Sequence, residues 1–226
     1  MTLLKNLFTY EDLEQETQTD GYRVYVTPEG ERLPSVTTIL GETQDKTALD
    51  NWRNRIGHAE ADFITKTSAG IGTCMHNNLE AHLAGTDRPI GNSPVREAGR
   101  KLADVIIQEG LCHVSEVWGL EKRLYYPGLY AGTADVIGIF KNKESIMDFK
   151  NTRRPKKPEW VQSYYQQVTA YALAHNEVHG TNITHGVIFM VAREESCFGI
   201  YQEFEIDTKQ WIEPWLQSVE KFYANS

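Results

Sequence analysis

Three charged side chains near the middle of the chain have the types and the spacing of a catalytic site. Asp148 and Lys150 are two residues apart, so on a β-strand both project from one face of the sheet. A hairpin that is symmetric about a turn at residues 141–144 places Asp135 opposite Lys150 and diagonal to Asp148 on that face. Two carboxylates and an ammonium group are therefore predicted within about 5 to 8 Å of one another.

This grouping is suited to binding a divalent metal ion. Two neighbouring carboxylates repel each other, and a cation has to offset their charge. Mg²⁺ or Mn²⁺ prefers such hard oxygen ligands, and can polarise a phosphoryl oxygen and bind an attacking water. Lys150 would orient or help to deprotonate that water and offset charge in the transition state. The alternative is a surface salt bridge on a hairpin, because an Asp-x-Lys sequence is common.

Two further pairs of residues have helical spacing. His76 and Glu80 are four residues apart, as are Gln167 and Tyr171, so each pair shares one face of a predicted helix. Either pair alone is typical of ordinary helix surface. Their order relative to the carboxylates makes them informative.

The order of these motifs resembles one branch of the nucleases. The motifs are Gly72-Thr73-x-x-His76, Gly132-Thr133-Ala134-Asp135, Asp148-Phe149-Lys150 and Gln167-x-x-x-Tyr171. Their order and spacing are similar to those of the RecB-type branch of the PD-(D/E)XK nucleases. Pro34-Ser35-Val36-Thr37, the pair of His76 and Glu80, and residues 167–171 are most similar to the mitochondrial genome maintenance exonuclease-like and phage exonucleases. The resemblance covers residues 34–175.

The resemblance implies a restriction-endonuclease-like core and a role for each matched residue. His76, Asp135 and Asp148, together with the backbone carbonyl of Phe149, would hold the metal. Lys150 would be the catalytic lysine, acting with the two aspartates.

Other matched residues would support the site or contact DNA. Glu80, Gln167 and Tyr171 belong to this group by resemblance. Ser35 and Thr37 would begin a helix near the nucleic-acid path, with simple N-capping as the alternative.

The sequence departs from the family pattern in two places. Many relatives have Thr or Ser directly after the lysine, whereas here Asn151 precedes Thr152. The early glutamate that is typical of the branch is either Glu116 or Glu121, and the sequence does not separate the two.

A basic segment follows the catalytic strand. Within eight residues that contain no acid, Lys150 is followed by Arg153, Arg154, Lys156 and Lys157. A strand-to-helix loop at this position can touch phosphates beside the metal, and the alternative is a solvated loop. Four aromatic residues are candidates to stack unpaired bases, or else belong to the core: Trp52, Trp160, Tyr164 and Tyr165.

Hydrophobic periodicity predicts an α/β domain with a central mixed sheet flanked by helices. The N-terminal half contains a hairpin with a turn at residues 28–30 and three helices. The first helix begins near Lys46, the second is capped by Thr73 and ends at Gly85, and the third covers about residues 95–108.

The second half is predicted to carry the sheet. Three antiparallel strands are expected at residues 114–126, 134–140 and 145–150, and a further strand pair at 187–191 and 200–206. A helix starting at Pro158 lies between them, and Asp207 with Gln210 forms a capping box for a last helix. No linker divides the chain, so residues 1–226 are expected to form a single nuclease domain, with the hairpin and helices before about residue 110.

Composition restricts how the protein can meet nucleic acid. A net charge of −8 over 226 residues counts against holding long stretches of phosphate backbone by bulk electrostatics, so contacts have to be local. Cys74, Cys112 and Cys197 lack metal-site spacing, which predicts reduced thiols and a cytoplasmic location, in the host cell if the protein is phage-encoded. No apolar stretch approaches the roughly 18 residues of a membrane helix, and no membrane contact is expected.

We therefore expect a Mg²⁺- or Mn²⁺-dependent DNA exonuclease that acts at single-stranded ends or flaps. The setting would be DNA replication, recombination, repair or phage DNA metabolism. The expected partner is single-stranded DNA, and the expected state is a monomer. One alternative is a structure-specific or nicking endonuclease of the same fold, and another is a non-catalytic DNA-binding or scaffold module.

Overall fold

The centre of the fold is a mixed sheet with helices on both faces, as predicted; it has six strands, one more than the five predicted. The structure is a computed structural model that describes residues 2–18 and 21–225. In chain order its main elements are β1 (Leu3–Leu4), β2 (Glu14–Thr17), β3 (Arg23–Val26), β4 (Arg32–Pro34), α1 (Val36–Thr43), α2 (Thr47–Ile56), α3 (His58–Ala84), α4 (Pro94–Glu109), β5 (Val114–Tyr126), β6 (Tyr130–Phe140), β7 (Lys143–Thr152), α5 (Gln162–His179), β8 (His185–Ala192), β9 (Tyr201–Asp207) and α6 (Ile212–Ala224).

The strand order in the large sheet is β1-β5-β6-β7-β8-β9. Strands β5, β6 and β7 are antiparallel, β8 runs parallel to β7, and β9 is antiparallel to β8. The three antiparallel strands and the later strand pair are therefore confirmed. In β7, Ile146 packs in the core on the α5 side, whereas Met147 and Phe149 pack with α3 and α4. This alternation directs Asp148 and Lys150 to the α5 side of β7.

The hairpin of β6 and β7 has a different register from the predicted one. Its turn consists of Lys141 and Asn142, which have φ values of 46° and 65°, as in the tight turns of two-residue hairpins. Val136 pairs with Met147, and continuing this register places Asp135 opposite Asp148. The predicted pairing with Lys150 was wrong because the turn was centred one residue too late. The error moves the partner by two residues, and the charged side chains therefore keep their common face.

The predicted start of the second helix at Thr73 was also wrong. Helix α3 is continuous over 27 residues and ends at Gly85, whose left-handed φ of 68° matches the predicted C-terminus. Glycines such as Gly70 and Gly72 are unfavourable inside a helix, but in the structure they allow α3 to pack closely against its neighbours. A Cβ at Gly72 would lie 2.8 Å from Asn151 Nδ2. His76 consequently lies well inside a long helix and not in a first turn.

Two predicted helix starts are displaced by short 3-10 turns. Pro158 begins such a turn, and α5 follows only after Val161, whose φ of −118° is not helical. Asp207 caps the turn at Thr208–Trp211 by accepting a hydrogen bond from Lys209 N at 3.0 Å. Helix α6 begins after this turn, so the predicted capping box with Gln210 does not form.

A small antiparallel sheet of β2, β3 and β4 packs against the large one. Strands β3 and β4 are the predicted hairpin, and β2 was not predicted. Leu13, Tyr25 and Leu33 bury their side chains against Ala131 of β6. The hydroxyls of Tyr25 and Thr133 are 3.0 Å apart and fix this sheet beside the strand that carries Asp135.

Helix α2 contributes no buried residue to the hydrophobic core on either face of the large sheet. Within the described residues, no helix combines the length and the apolar composition that a membrane crossing requires.

Candidate active site

An imidazole and two carboxylates meet where α3 crosses strands β5 and β6. His76 Nδ1 lies 3.6 Å from Asp135 Oδ2 and 3.8 Å from Glu121 Oε1. Each of the three residues offers a ligand atom, and these atoms lie within 4.8 Å of one another. Asp135 Oδ2 also accepts a hydrogen bond from Phe149 N at 2.7 Å, which joins β6 to β7.

The predicted ligands Asp148 and the Phe149 carbonyl lie beside this group but have other partners in the structure. Phe149 O is 2.9 Å from His76 Nε2, which donates to it. Asp148 is only 1% exposed, and its Oδ2 contacts Lys150 Nζ. Three carboxylates and two cationic side chains therefore share one small region, with His76 near Asp135 and Lys150 near Asp148.

Helix α5 supports the pair of Asp148 and Lys150 from the other side. Gln167 Nε2 lies 3.2 Å from Asp148 Oδ1 and 3.1 Å from the Tyr171 hydroxyl. Lys150 Nζ lies 5.1 Å from the ring centroid of Tyr164. The four-residue spacing of Gln167 and Tyr171 thus brings both side chains to the site.

Gly132 makes room for Tyr171. A Cβ at Gly132 would lie 2.6 Å from Tyr171 Cε1, closer than side-chain atoms approach one another. The close approach of Tyr171 therefore explains why the Gly132-Thr133-Ala134-Asp135 motif begins with glycine.

Burial and charge together shift the pKa values of the site. Burial lowers the pKa of His76, but the charge of Asp135 and the neighbouring carboxylate of Glu121 outweigh it and raise this pKa to about 9. Burial raises the pKa of Asp148 to about 6, against the opposing effect of Lys150. It also raises the pKa of Asp135.

Lys150 remains an ammonium group at neutral pH. Burial alone lowers its pKa, but the charges of Asp148 and Asp135 raise it, and the net direction is upward. A divalent cation fits the ligand atoms of His76, Glu121 and Asp135 well. Buried carboxylates are costly to ionise unless a nearby positive charge offsets them, and the ion would supply that charge.

The structure separates the two candidate glutamates. Glu116 faces away from the site: its carboxylate lies 2.5 Å from Lys5 Nζ and 2.9 Å from Trp118 Nε1. Glu121 lies at the site, with a left-handed φ of 47° that is uncommon for a residue with a side chain. No signal in the sequence distinguishes the two positions.

Three predicted support residues do not contact the metal-binding group. Glu80 is exposed on α3. Ser35 caps α1, since its Oγ accepts a hydrogen bond from Thr38 N at 2.9 Å and lies 3.0 Å from Thr37 Oγ1. The N-capping alternative therefore accounts for Ser35.

In the structure, a carboxylate from another part of the chain offsets part of the positive charge of the basic segment. Arg153 and Arg154 are exposed and both pair with Glu194, which follows β8. Lys156 N donates to Gln202 Oε1 at 2.6 Å, and Lys157 Nζ lies 5.4 Å from the Trp160 ring centroid.

The four candidate stacking aromatics divide between core and surface. Tyr165 belongs to the core on the α5 side, so the core alternative is correct for this residue. Trp160 is exposed, whereas Trp52 and Tyr164 are half-buried.

Sequence reasoning missed one basic residue. Arg193 follows β8, and its guanidinium lies 3.0 Å from Asn151 Oδ1 and 2.6 Å from Ser68 Oγ. Nothing in its sequence surroundings marks it, because its neighbours in space come from β7 and α3.

Comparison with curated proteins finds an exonuclease. The chain is 25% identical over 177 residues to mitochondrial genome maintenance exonuclease 1 from Xenopus tropicalis, covering 73% of this chain and 50% of that protein. The chain thus spans about half the length of this relative. No family model matches the sequence.

Comparison with solved structures also finds exonucleases, at low scores. An alkaline exonuclease from Laribacter hongkongensis aligns with a TM-score of 0.37 and 16% identity, covering 67% of this chain and 76% of that one. A phage related exonuclease from Haemophilus somnus 129PT aligns with a TM-score of 0.38 and 12% identity, covering 67% and 79% of the two chains.

Proposed function

We propose that this chain is a metal-dependent deoxyribonuclease with a restriction-endonuclease-like core, acting as an exonuclease at single-stranded ends or flaps. One observation carries the proposal. An imidazole, three carboxylates and a buried ammonium group converge from α3 and three adjacent strands, and these are the groups that would hold a divalent ion and offset the charge of a phosphate. Similarity to a curated exonuclease over most of the chain supports the same reaction.

Mg²⁺ or Mn²⁺ is the proposed cofactor. His76 Nδ1, Glu121 and Asp135 would hold it, with Asp148 and the Phe149 carbonyl available from the neighbouring strand. When bound, the ion would supply Lewis acidity toward a phosphoryl oxygen and toward the attacking water.

The chain's own residues would position the phosphate and offset its charge. Lys150 stays protonated, so its role would be to neutralise negative charge on the reacting phosphoryl group and to orient the water, rather than to accept a proton. Asp148 holds the ammonium group in place, and Gln167 fixes Asp148 through its Oδ1. Tyr171 restricts Gln167 in turn, so these residues of α5 would act as positioning groups.

The test is cleavage of a 5′- or 3′-labelled single-stranded oligodeoxynucleotide with Mn²⁺, with Mg²⁺ and with EDTA. Lys150→Met and Asp148→Asn should each lower the rate by roughly 100-fold or more, because each removes an interaction with the transition state. Lys101→Met is the matched control, since Lys101 pairs with Glu97 on the surface of α4. Equal cleavage by wild type and both site variants would contradict the proposal.

Substrate form separates the alternatives. A closed circular single strand should survive an exonuclease, and its linearisation would favour the endonuclease alternative. Binding of the oligonucleotide without cleavage under any metal condition would favour the DNA-binding module. A matched RNA oligonucleotide tests the preference for DNA, and double-stranded DNA tests the preference for a single strand.

A further inference from the structure

Arg193 lies in a position that the proposed reaction does not explain. Its backbone N donates to Thr152 O at 2.9 Å, and its guanidinium reaches across the end of β7 to α3. There it donates to Asn151 Oδ1 at 3.0 Å and to Ser68 Oγ at 2.6 Å. The side chain is half-buried and held at both ends of its fork.

The charge of this guanidinium is not balanced by its own hydrogen-bond partners. Both side-chain groups to which it donates, an amide and a hydroxyl, are neutral. The nearest carboxylate along the chain, Glu194, already pairs with Arg153 and Arg154. A fixed, partly desolvated guanidinium with neutral partners is stabilised by an anion, and its planar fork matches the oxygens of a phosphate.

Arg193 is close to the proposed catalytic residues along two elements. Asn151 directly follows Lys150 on β7. Ser68 precedes His76 by eight residues on α3, which corresponds to about 12 Å along the helix axis. Gly72 lies between them and has no Cβ that would collide with Asn151 Nδ2. An anion at Arg193 would therefore lie within a short distance of the site along a DNA strand.

An open groove with two aromatic rings begins at the same arginine. It has a volume of about 480 Å³ and includes in its lining Arg153, Arg193, Trp52, Phe63, Ile64 and Ile71. Phe63 is 65% exposed, and Trp52 is half-buried. Glu60 and Glu194 also line the groove, so its lining has two guanidinium groups, of Arg153 and Arg193, and two carboxylates.

We propose that this groove is a second nucleotide-binding subsite for single-stranded DNA. Arg193, fixed by Asn151 and Ser68, binds a backbone phosphate near the one that is cut. Phe63 and Trp52 stack the adjacent unpaired base, since aromatic side chains stack the bases of single strands whatever their sequence. This subsite rests on the proposed function. It also explains Asn151, which departs from the family pattern, because Asn151 positions the arginine through a hydrogen bond.

The experiment measures binding and cleavage separately. Fluorescence anisotropy of a labelled single-stranded oligodeoxynucleotide gives the Kd at several salt concentrations, with Ca²⁺ in place of Mn²⁺. Phe63→Ala should raise the Kd about 5-fold or more, the usual effect of removing one stacking ring. Arg193→Gln should raise the Kd. It should also lower the slope of log Kd against log salt concentration by about 1, because one phosphate contact is lost. Arg100→Gln, an exposed arginine of α4, is the matched control and should bind like wild type.

The outcomes separate the subsite from the proposed function. If wild type cleaves DNA while Phe63→Ala and Arg193→Gln bind like the control, the subsite is wrong and the nuclease proposal stands. If Arg193→Gln loses affinity with an unchanged salt slope, the arginine is only structural and the phosphate contact is wrong. Phe63 is exposed, so its variant should fold, and circular dichroism checks this for all variants. If wild type neither binds nor cleaves single-stranded DNA, both proposals fail.

Discussion

Binding of a divalent ion at His76 should release a proton, because both imidazole nitrogens face oxygen atoms in the structure. Nε2 lies 2.9 Å from Phe149 O, and Nδ1 lies 3.6 Å from Asp135 and 3.8 Å from Glu121. A ring that donates from Nε2 and has two carboxylates beside Nδ1 favours the protonated, positively charged form, in agreement with its pKa of about 9. A metal ion needs the unprotonated nitrogen, so binding and proton loss are coupled.

The size of the effect follows from this pKa. At pH 7 nearly every His76 is protonated, so about one proton should leave for each ion bound. Competition with that proton weakens the apparent affinity roughly 100-fold at pH 7, relative to a ring that is already neutral. The Kd should therefore fall about tenfold for each pH unit between pH 7 and pH 9. Asp148, with a pKa of about 6, is already ionised over most of this range.

Calorimetric titration of Mn²⁺ between pH 7.0 and 8.5, in buffers of different ionisation enthalpy, measures both the Kd and the protons released. His76→Gln should abolish the proton release. His113→Gln removes an exposed imidazole and should leave it unchanged. A wild-type Kd that is independent of pH, or binding without proton release, would refute the assignment of His76 as a ligand.

Three further predictions concern ligand choice, packing and pH. Glu121→Gln should weaken Mn²⁺ binding at least about tenfold in the same titration, whereas Glu116→Gln should leave it unchanged. Gly132→Ala places a Cβ 2.6 Å from Tyr171 and should lower the free energy of unfolding by about 1 to 3 kcal/mol in urea. Burial lowers the pKa of His175 to about 3, so its stabilising effect is complete above about pH 6.5 and decreases as the pH falls toward 3; His175→Gln should flatten this dependence in urea titrations.

The common face of the catalytic side chains could be predicted because it depends only on the period of a β-strand. Asp148 and Lys150 share a face in any register, and moving Asp135 by two residues along its partner keeps it there. The residue directly opposite Asp135 depends on the centre of the turn. Lys141 and Asn142 adopt left-handed φ values, and the sequence did not identify them as the two turn residues. The prediction of the site was therefore less sensitive to error than the prediction of the pairing.

The features that could not be predicted from the sequence depend on contacts between residues far apart in the chain. Gly70 and Gly72 are normally unfavourable inside a helix, and only the approach of Val95 and Asn151 explains their presence in α3. The segment of residues 150–157 contains no acid, yet Glu194 reaches it because β8 runs parallel to β7 and ends beside it. Neither neighbour can be inferred from local periodicity.

The choice between Glu116 and Glu121 illustrates why local irregularity matters at this site. On a regular strand, residues five apart face opposite sides of the sheet, so only one of the two could face His76. A register shift between Val117 and Gly119, which lie between the two glutamates, changes that alternation. Glu121 then adopts a left-handed φ, which costs about 1 to 2 kcal/mol for a residue with a Cβ. A conformation of this cost persists only when surrounding structure holds it, and here it brings the carboxylate within 3.8 Å of His76 Nδ1. The irregular part of β5 is thus what completes the proposed metal site.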